Sequence, residues 1–251
     1  MPERAAVAAW RAGLAIVLLG AWQSAAAVGA IDPFFVSRPS DIIERVWTWM
    51  SSGTLWPHLM ATLQESVLGL VIGGVAGVAM GFWLARSPLV ARVLEPYIMM
   101  LNALPRVVLA PLFLLWFGLG IWSKVALSVT LVFFVMFFST YQGVREASRV
   151  IIDNVRMLGA TERQLVRHVL VPSALSWIFS SLQVSLGFAM VGAVVGEYLG
   201  ATRGLGYVIS QAEGTFDTTG VFAGMFVLSS VVVSLSAAVS RVERWLLRWK
   251  G

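Results

Sequence analysis

Long apolar stretches alternate with short polar ones along this chain. A helix needs about 20 apolar residues to cross the hydrocarbon core of a bilayer. Six stretches meet that length, at residues 8–30, 61–85, 96–119, 123–141, 174–198 and 221–239. The pattern therefore predicts an all-α membrane protein with six transmembrane helices. A polar interval after the first stretch contains Ile42, Ile43, Val46, Trp47 and Met50 at helical spacing, with Ser40 placed to cap the helix N-terminus. With its Trp residues, this segment is expected to lie along the outer membrane surface. The chain thus divides into residues 1–58, the first span plus this amphipathic segment, and residues 59–251, the core. The second stretch carries Gly69, Gly73, Gly77 and Gly81, every fourth residue. That spacing makes one smooth helix face, where another backbone can approach closely.

Basic residues sort unevenly once the spans are drawn. With both termini in the cytoplasm, thirteen Lys and Arg, from Arg4 and Arg11 to Arg248 and Lys250, fall inside. Arg38, Arg45, Lys124 and Arg203 fall outside. This positive-inside asymmetry sets the predicted orientation in the membrane. Arg4, Arg11, the apolar run and Ala25-Ala26-Ala27 imitate a secretory signal. The charges are spread through the run, and its removal would leave an odd number of spans, so an uncleaved first helix is expected.

Composition narrows the chemistry. Of 251 residues, 58% are hydrophobic and 12% charged, and mean hydropathy is +0.82, which places the chain among membrane proteins. Cysteine is absent, and the two histidines, His58 and His168, fall in different predicted compartments. No metal site or nucleophilic dyad follows from that set. Lys occurs only at Lys124 and Lys250, and neither stands in a phosphate-binding P-loop. Any ATP that drives this protein must be bound by another subunit. The net charge of +5 is topological, with no basic run interleaved with aromatics, so nucleic acid is not an expected partner.

The most informative polar interval is 153–172, DNVRMLGATERQLVRHVLVP. Ile151, Val155 and Leu158 give a short amphipathic helix, and Gly159 suits its C-cap. Thr161 and Gln164 form a capping box that starts a second helix, with Leu165, Val166, Val169 and Leu170 on its apolar face. Pro172 is expected to end the unit and let the next span start in a new direction. Membrane lipid is one partner for such a hairpin, and a protein is another.

The spacing of Asp153, Gly159 and Val169-Leu170-Val171-Pro172 resembles the cytoplasmic Glu-Ala-Ala loop of binding-protein-dependent ABC importer permeases. Gly159 and Pro172 match that pattern, whereas Asp153-Asn154-Val155 keeps only an acid. Residues 103–124, ALPRVVLAPLFLLWFGLGIWSK, and 196–209, GEYLGATRGLGYVI, are similar to signatures of the nitrate, sulfonate and taurine branch. The likeness runs from about Leu59 to the end. It implies a MetI-like, type I importer transmembrane domain in a bacterial inner (plasma) membrane, with a coupling hairpin at about 145–172. It also implies a non-catalytic permease working as a homodimer with two cytoplasmic ATPases, which hold ATP and magnesium. A periplasmic or lipid-anchored binding protein would deliver the solute. The residues expected to couple to the ATPase are Asp153, Arg156, Gly159, Ala160, Thr161 and Pro172.

Arg106 is the one basic residue inside a predicted span, about ten residues from its start and so near mid-bilayer. Pro105 and Pro111 flank it and predict a kinked or broken helix, and Asn102 shares its face. Broken helices free backbone groups for a polar substrate, so Asn102, Pro105 and Arg106 are assigned to the translocation path. Three readings of Arg106 stay open: a contact for a small anion, an ion pair with Glu65 or Glu197, or a snorkelled side chain. Glu197, before a glycine-rich turn, is assigned to an external gate. A self-contained secondary transporter or channel is the alternative function. It would need inverted repeats or intramembrane acids, and no convincing repeat is present while the acids fall near span ends or in loops.

Overall fold

The structure is a computed structural model and describes residues 2–246. Arg248 and Lys250, used for the predicted orientation, lie outside the described residues, as do the side chains of Arg4 and Arg244. Among the described residues the chain is all helical, in the order α1 Pro2–Ala27, α2 Pro33–Val36, α3 Pro39–Ser51, α4 Leu55–Ala85 and α5 Pro88–Ala103. A 3₁₀ turn, Arg106–Leu109, leads into α6 Ala110–Phe117, α7 Ile121–Arg145, α8 Arg149–Met157 and α9 Glu162–Leu165. A π turn, Val166–Leu170, then joins α10 Val171–Gly200, followed by α11 Leu205–Gly214 and α12 Thr218–Leu246.

Four helical stretches are long and apolar enough to cross a membrane: Leu55–Ala85, Ile121–Arg145, Glu162–Gly200 and Thr218–Arg241. The pair Pro88–Ala103 and Arg106–Phe117 adds a fifth if it counts as one span, although it bends by 82°. The expected first span is a helix of 26 residues but does not join that group. Arg11 and Gln23 interrupt its apolar run. The number of apolar crossings described is therefore four or five, rather than six.

The core is built around α7. Buried glycines of α4 lie against it in steady register: Gly73 on Val129 and Val132, Gly77 on Phe133 and Met136, Gly81 on Phe137 and Thr140. A Cβ at Gly73 would stand 2.9 Å from the Val129 carbonyl oxygen, and one at Gly77 would stand 2.5 Å from that of Phe133. Contacts rise together along both helices, so α4 and α7 run parallel with their backbones nearly touching. On its other flank, α7 meets α10 antiparallel. Ser128 Oγ donates to the Ala189 carbonyl at 2.8 Å, and Ser173 Oγ of α10 donates to the Gly143 carbonyl at 2.9 Å. The small side chains of this helical trio replace the hydrophobic drive that lipid does not supply.

The N-terminal strap closes on α12. Helix α3 begins at Pro39, one residue before the expected cap, because Pro suits the first helical position. Ser40 bonds instead to Asp41 and Gln23. Arg45 pairs with Asp217 just before α12, Ser37 and Thr219 share a hydrogen bond of 2.8 Å, and Thr218 donates to the Phe34 carbonyl. Partial burial pushes the Asp217 carboxyl up, but the Gly220 N–H and the Arg45 guanidinium outweigh it and hold it below the ordinary aspartate value. Helix α3 leaves Ile43 and Trp47 exposed on one side, as the amphipathic pattern predicts.

Close approach of α4 and α7 can be tested by adding one carbon. Gly77→Ala should cost about 1–3 kcal/mol through forced separation of the two backbones. Gly187→Ala, where nothing lies within 4 Å of the added Cβ, should leave the thermal midpoint in detergent nearly unchanged. Equal midpoints for the two variants would refute the packing described.

Candidate functional site

Parallel packing of α4 and α7 collects chemistry at two ends. At one end stand Arg86, Arg145 and the hairpin after α7. Helix α8 finishes in a two-bond C-cap: Gly159 N–H donates to Arg156 O at 2.9 Å, and Ala160 N–H donates to Val155 O at 3.2 Å. Gly159 has φ +82°, which a side chain would strain. Thr161 and Gln164 form the expected capping box, with the Thr161 N–H bonded to Gln164 Oε1 at 2.8 Å. The turn exposes Met157 and Leu158 at 85% and 87%, two apolar side chains at the tip of a rigid element. Glu162 accepts from Arg156 at 3.1 Å and from Arg86 of α4 at 3.5 Å, tying the hairpin to the core.

Pro172 does not end the unit as expected. The chain runs helically from Glu162 to Gly200, and Pro172 sits in the first turn of α10. Proline lacks an N–H and its ring crowds the carbonyl four residues earlier. The π turn Val166–Leu170, immediately upstream, widens the helix there and absorbs both defects. The second arm of the hairpin is thus continuous with a span. Asp153, Arg156, Gly159, Ala160 and Thr161 lie together on the hairpin, and Pro172 lies one π turn beyond it.

The break at Pro105 is as the sequence predicts. Asn102 and Arg106 flank it, and Arg106 Nη2 donates to Asn102 Oδ1 at 2.5 Å and to the Asn102 carbonyl at 3.0 Å. Its guanidinium lies 4.8 Å from the centre of the Phe134 ring. Arg106 pairs with neither Glu65 nor Glu197. It is half-buried, and its Nε is buried with no partner among the described residues. Among the described residues no carboxylate forms an ion pair with it.

At the opposite end lies a polar cluster only one member of which was expected. Glu197 of α10, 1% exposed, accepts from Thr62 Oγ1 at 2.6 Å and from Gly206 N–H at 2.7 Å. Thr62 Oγ1 also accepts from Leu205 N–H at 2.8 Å, and His58 Nδ1 accepts from Gly204 N–H at 3.1 Å. Three successive amides at the start of α11 are thereby capped by side chains of α4 and α10. Lys124, counted on the outer side at the start of the fourth predicted stretch, is 1% exposed inside the first turn of α7. Its Nζ donates to the Leu119 carbonyl at 2.6 Å and to the Gly120 carbonyl at 3.1 Å. Glu65, 5% exposed, sits within electrostatic reach of both Glu197 and Lys124. Sequence spacing shows the short step from Glu197 to Gly204 and Gly206. The link back to His58, Thr62 and Glu65, more than 130 residues away, leaves no local signal.

Thr62→Val removes the hydroxyl that serves Glu197 and Leu205 at once. The loss should be about 1–3 kcal/mol, with faster hydrogen exchange at the amides of residues 204–206. Unchanged protection there would show that Thr62 does not hold the turn.

Comparison with known proteins adds the context for these ends. Residues 69–250 match the family described as the binding-protein-dependent transport system inner membrane component. The chain is similar to the formylaminopyrimidine transport permease of Halalkalibacterium halodurans, 36% identical over 94% of this chain and 93% of that one. It is also similar to the riboflavin transport permease of Chloroflexus aurantiacus, 33% identical over 94% and 88%. The taurine transport permease of Escherichia coli is 31% identical over 95% and 89%. Its fold resembles the inward-facing MetNI methionine ABC transporter, with TM-score 0.67, 21% identity and coverage of 76% of this chain and 94% of that one. With a matched core of this extent, the chain belongs to the family of binding-protein-dependent ABC importer permeases, as a non-catalytic membrane subunit with a MetI-like fold.

Proposed function

We propose that this permease carries a small anionic solute inward and takes its energy from a separate ATPase docked on the hairpin at 153–165. The arginine-rich end, with Arg86, Arg92, Arg145, Arg149 and Arg156, faces the cytoplasm in this reading. Two ATPases, a second copy of this chain and a binding protein complete the assembly. The observation that carries the coupling role is the tip of the hairpin. Met157 and Leu158 are exposed, yet the C-cap at Gly159 and the capping box at Thr161 hold the turn that presents them. Rigid display of two apolar side chains suits a socket in a protein, because a floppy loop would lose the motion it must transmit.

The solute class rests on Arg106. A guanidinium with no carboxylate partner, beside a broken helix, favours an anion. Relatives named for taurine and aliphatic sulfonates, 30–31% identical, agree with that charge. Those named for formylaminopyrimidine and riboflavin are at least as similar, so Arg106 and not kinship supports the anion.

Two measurements address the two halves of this reading. Met157→Asp together with Leu158→Asp should abolish co-purification of the ATPase while the permease keeps its thermal midpoint. Full recovery of the ATPase would refute docking at the tip. Arg106→Ala should lower import of a sulfonate by about tenfold or more, the loss of one charge-assisted contact, with partial rescue by Arg106→Lys. Import at the original rate and affinity would remove Arg106 from the path.

A further inference from the structure

Beside the hairpin is a cleft of about 730 Å³, bounded by the end of α4, the start of α5, the end of α7 and helices α8 and α9. Arg86, Arg92, Arg145, Arg149 and Arg156 line it, opposed by Glu95, Asp153 and Glu162, so positive charge dominates. The arginines are unequally engaged. Arg86 and Arg156 share Glu162. Arg145 donates to the Tyr141 hydroxyl at 2.9 Å and lies over that ring, while Arg92 reaches only its own helix at the Pro88 carbonyl. Arg149 has no hydrogen-bonding or ionic partner among the described residues.

The cleft does not end in a wall. Leu84, Ala91, Glu95, Tyr141 and Arg145 also line a second groove of about 450 Å³. That groove runs along α5 and α7 past Ile98, Met99, Phe137 and Phe138 to Trp177 of α10. One continuous surface therefore passes from guanidinium groups, through Tyr141, to aromatic and aliphatic side chains on spanning helices. A free phosphate would fill only the polar part. A ligand that fills both parts carries an anionic head and an apolar tail. The groove follows helices that cross the bilayer, and Tyr141 and Trp177 are of the type that marks the interface between headgroups and chains. Basic pockets between helices at the cytoplasmic face suit anionic headgroups.

We infer that the cleft and groove together form a binding site for an anionic phospholipid of the cytoplasmic leaflet. The phosphate lies against Arg145 and Arg149, and the acyl chains follow Met99, Phe138 and Trp177. This rests on the orientation given under the proposed function. The headgroup sits beside the Arg86–Glu162–Arg156 tie, so the same lipid steadies the hairpin.

The test uses the full chain in nanodiscs of phosphatidylcholine with added phosphatidylglycerol, followed by native mass spectrometry. The wild type should retain phosphatidylglycerol in preference to phosphatidylcholine. Arg145→Ala with Arg149→Ala should weaken that preference on the order of tenfold or more, and the paired Lys replacements should restore most of it. Met99→Glu, which charges the apolar groove, should lower retention with both arginines intact. Equal retention of the two lipids, or retention unaffected by the Ala pair, would overturn the proposal. Displacement of the lipid by glycerol 3-phosphate at similar concentration would also overturn it, since the tail would then contribute nothing. These measurements need no ATPase. Selective lipid retention by a permease that fails to bind an ATPase would overturn the coupling reading and leave the lipid site standing.

Discussion

The close approach of α4 to α7 is the constraint on which the rest of the structure depends. Gly73, Gly77 and Gly81 leave the two backbones in near contact, and the helices run parallel. Lipid tails are as apolar as leucine, so helices in a bilayer associate through contact area and polar satisfaction more than through apolar burial. Parallel alignment has a further consequence. A helix of 31 residues is about 46 Å long; its last turn is held level with the end of α7, and Thr62 and Glu65 are held level with the first turn of α7. One end places Thr62 and Glu65 beside Lys124. The other sets Arg86 near Arg145 and the hairpin. The glycine face thus fixes two polar sites separated by the full thickness of a membrane.

The outer cluster shows how such a fold tolerates buried charge. Lys124 lies near the positive end of its own helix dipole, an unfavourable place for an ammonium group. It turns back onto the Leu119 and Gly120 carbonyls, and the Glu65 and Glu197 carboxylates stand within reach. Glu197 in turn takes the Gly206 N–H and the Thr62 hydroxyl. The amides of Gly204, Leu205 and Gly206 are each bonded to a side chain on a different helix. Removing any one therefore orphans others, which costs more than the lost bond itself.

What could be read in the sequence was local. Gly159, Thr161 and Gln164 lie within one six-residue stretch, and their motifs form as expected. Pro105 favours an extended Leu104 before it, which ends α5 there, so the bend needed only local information. The four-residue glycine spacing predicted a close neighbour without saying that α7 would supply it. Pro172 misled because a proline can be accommodated by widening the preceding turn, and that choice depends on how α10 packs. Lys124 stands at the outer end of its predicted stretch, but its burial there rests on a carbonyl pair and two distant acids that no local pattern shows. The capping of α11 by His58, Thr62 and Glu197 joins segments that no local pattern connects.

Mechanical continuity follows from these contacts. The hairpin is tied to α4 through Glu162 and Arg86, and it continues without a hinge, through the π turn, into α10. Both α4 and α10 pack on α7 through small residues that leave no slack, with Ser128 meeting Ala189 and Gly192. At the far end the same two helices jointly hold α11 by its first amides. The tip at Met157 and Leu158 is thus joined, through α10 and the packed trio, to the turn at residues 200–206. The bent pair α5 and α6 lies against this block, with Ala91 beside Leu84 and Phe137 and with Arg106, at the corner of the bend, over Phe134. The break at Pro105 thus sits against the trio, at a guanidinium held by Asn102 with no acid in ion-pair reach among the described residues.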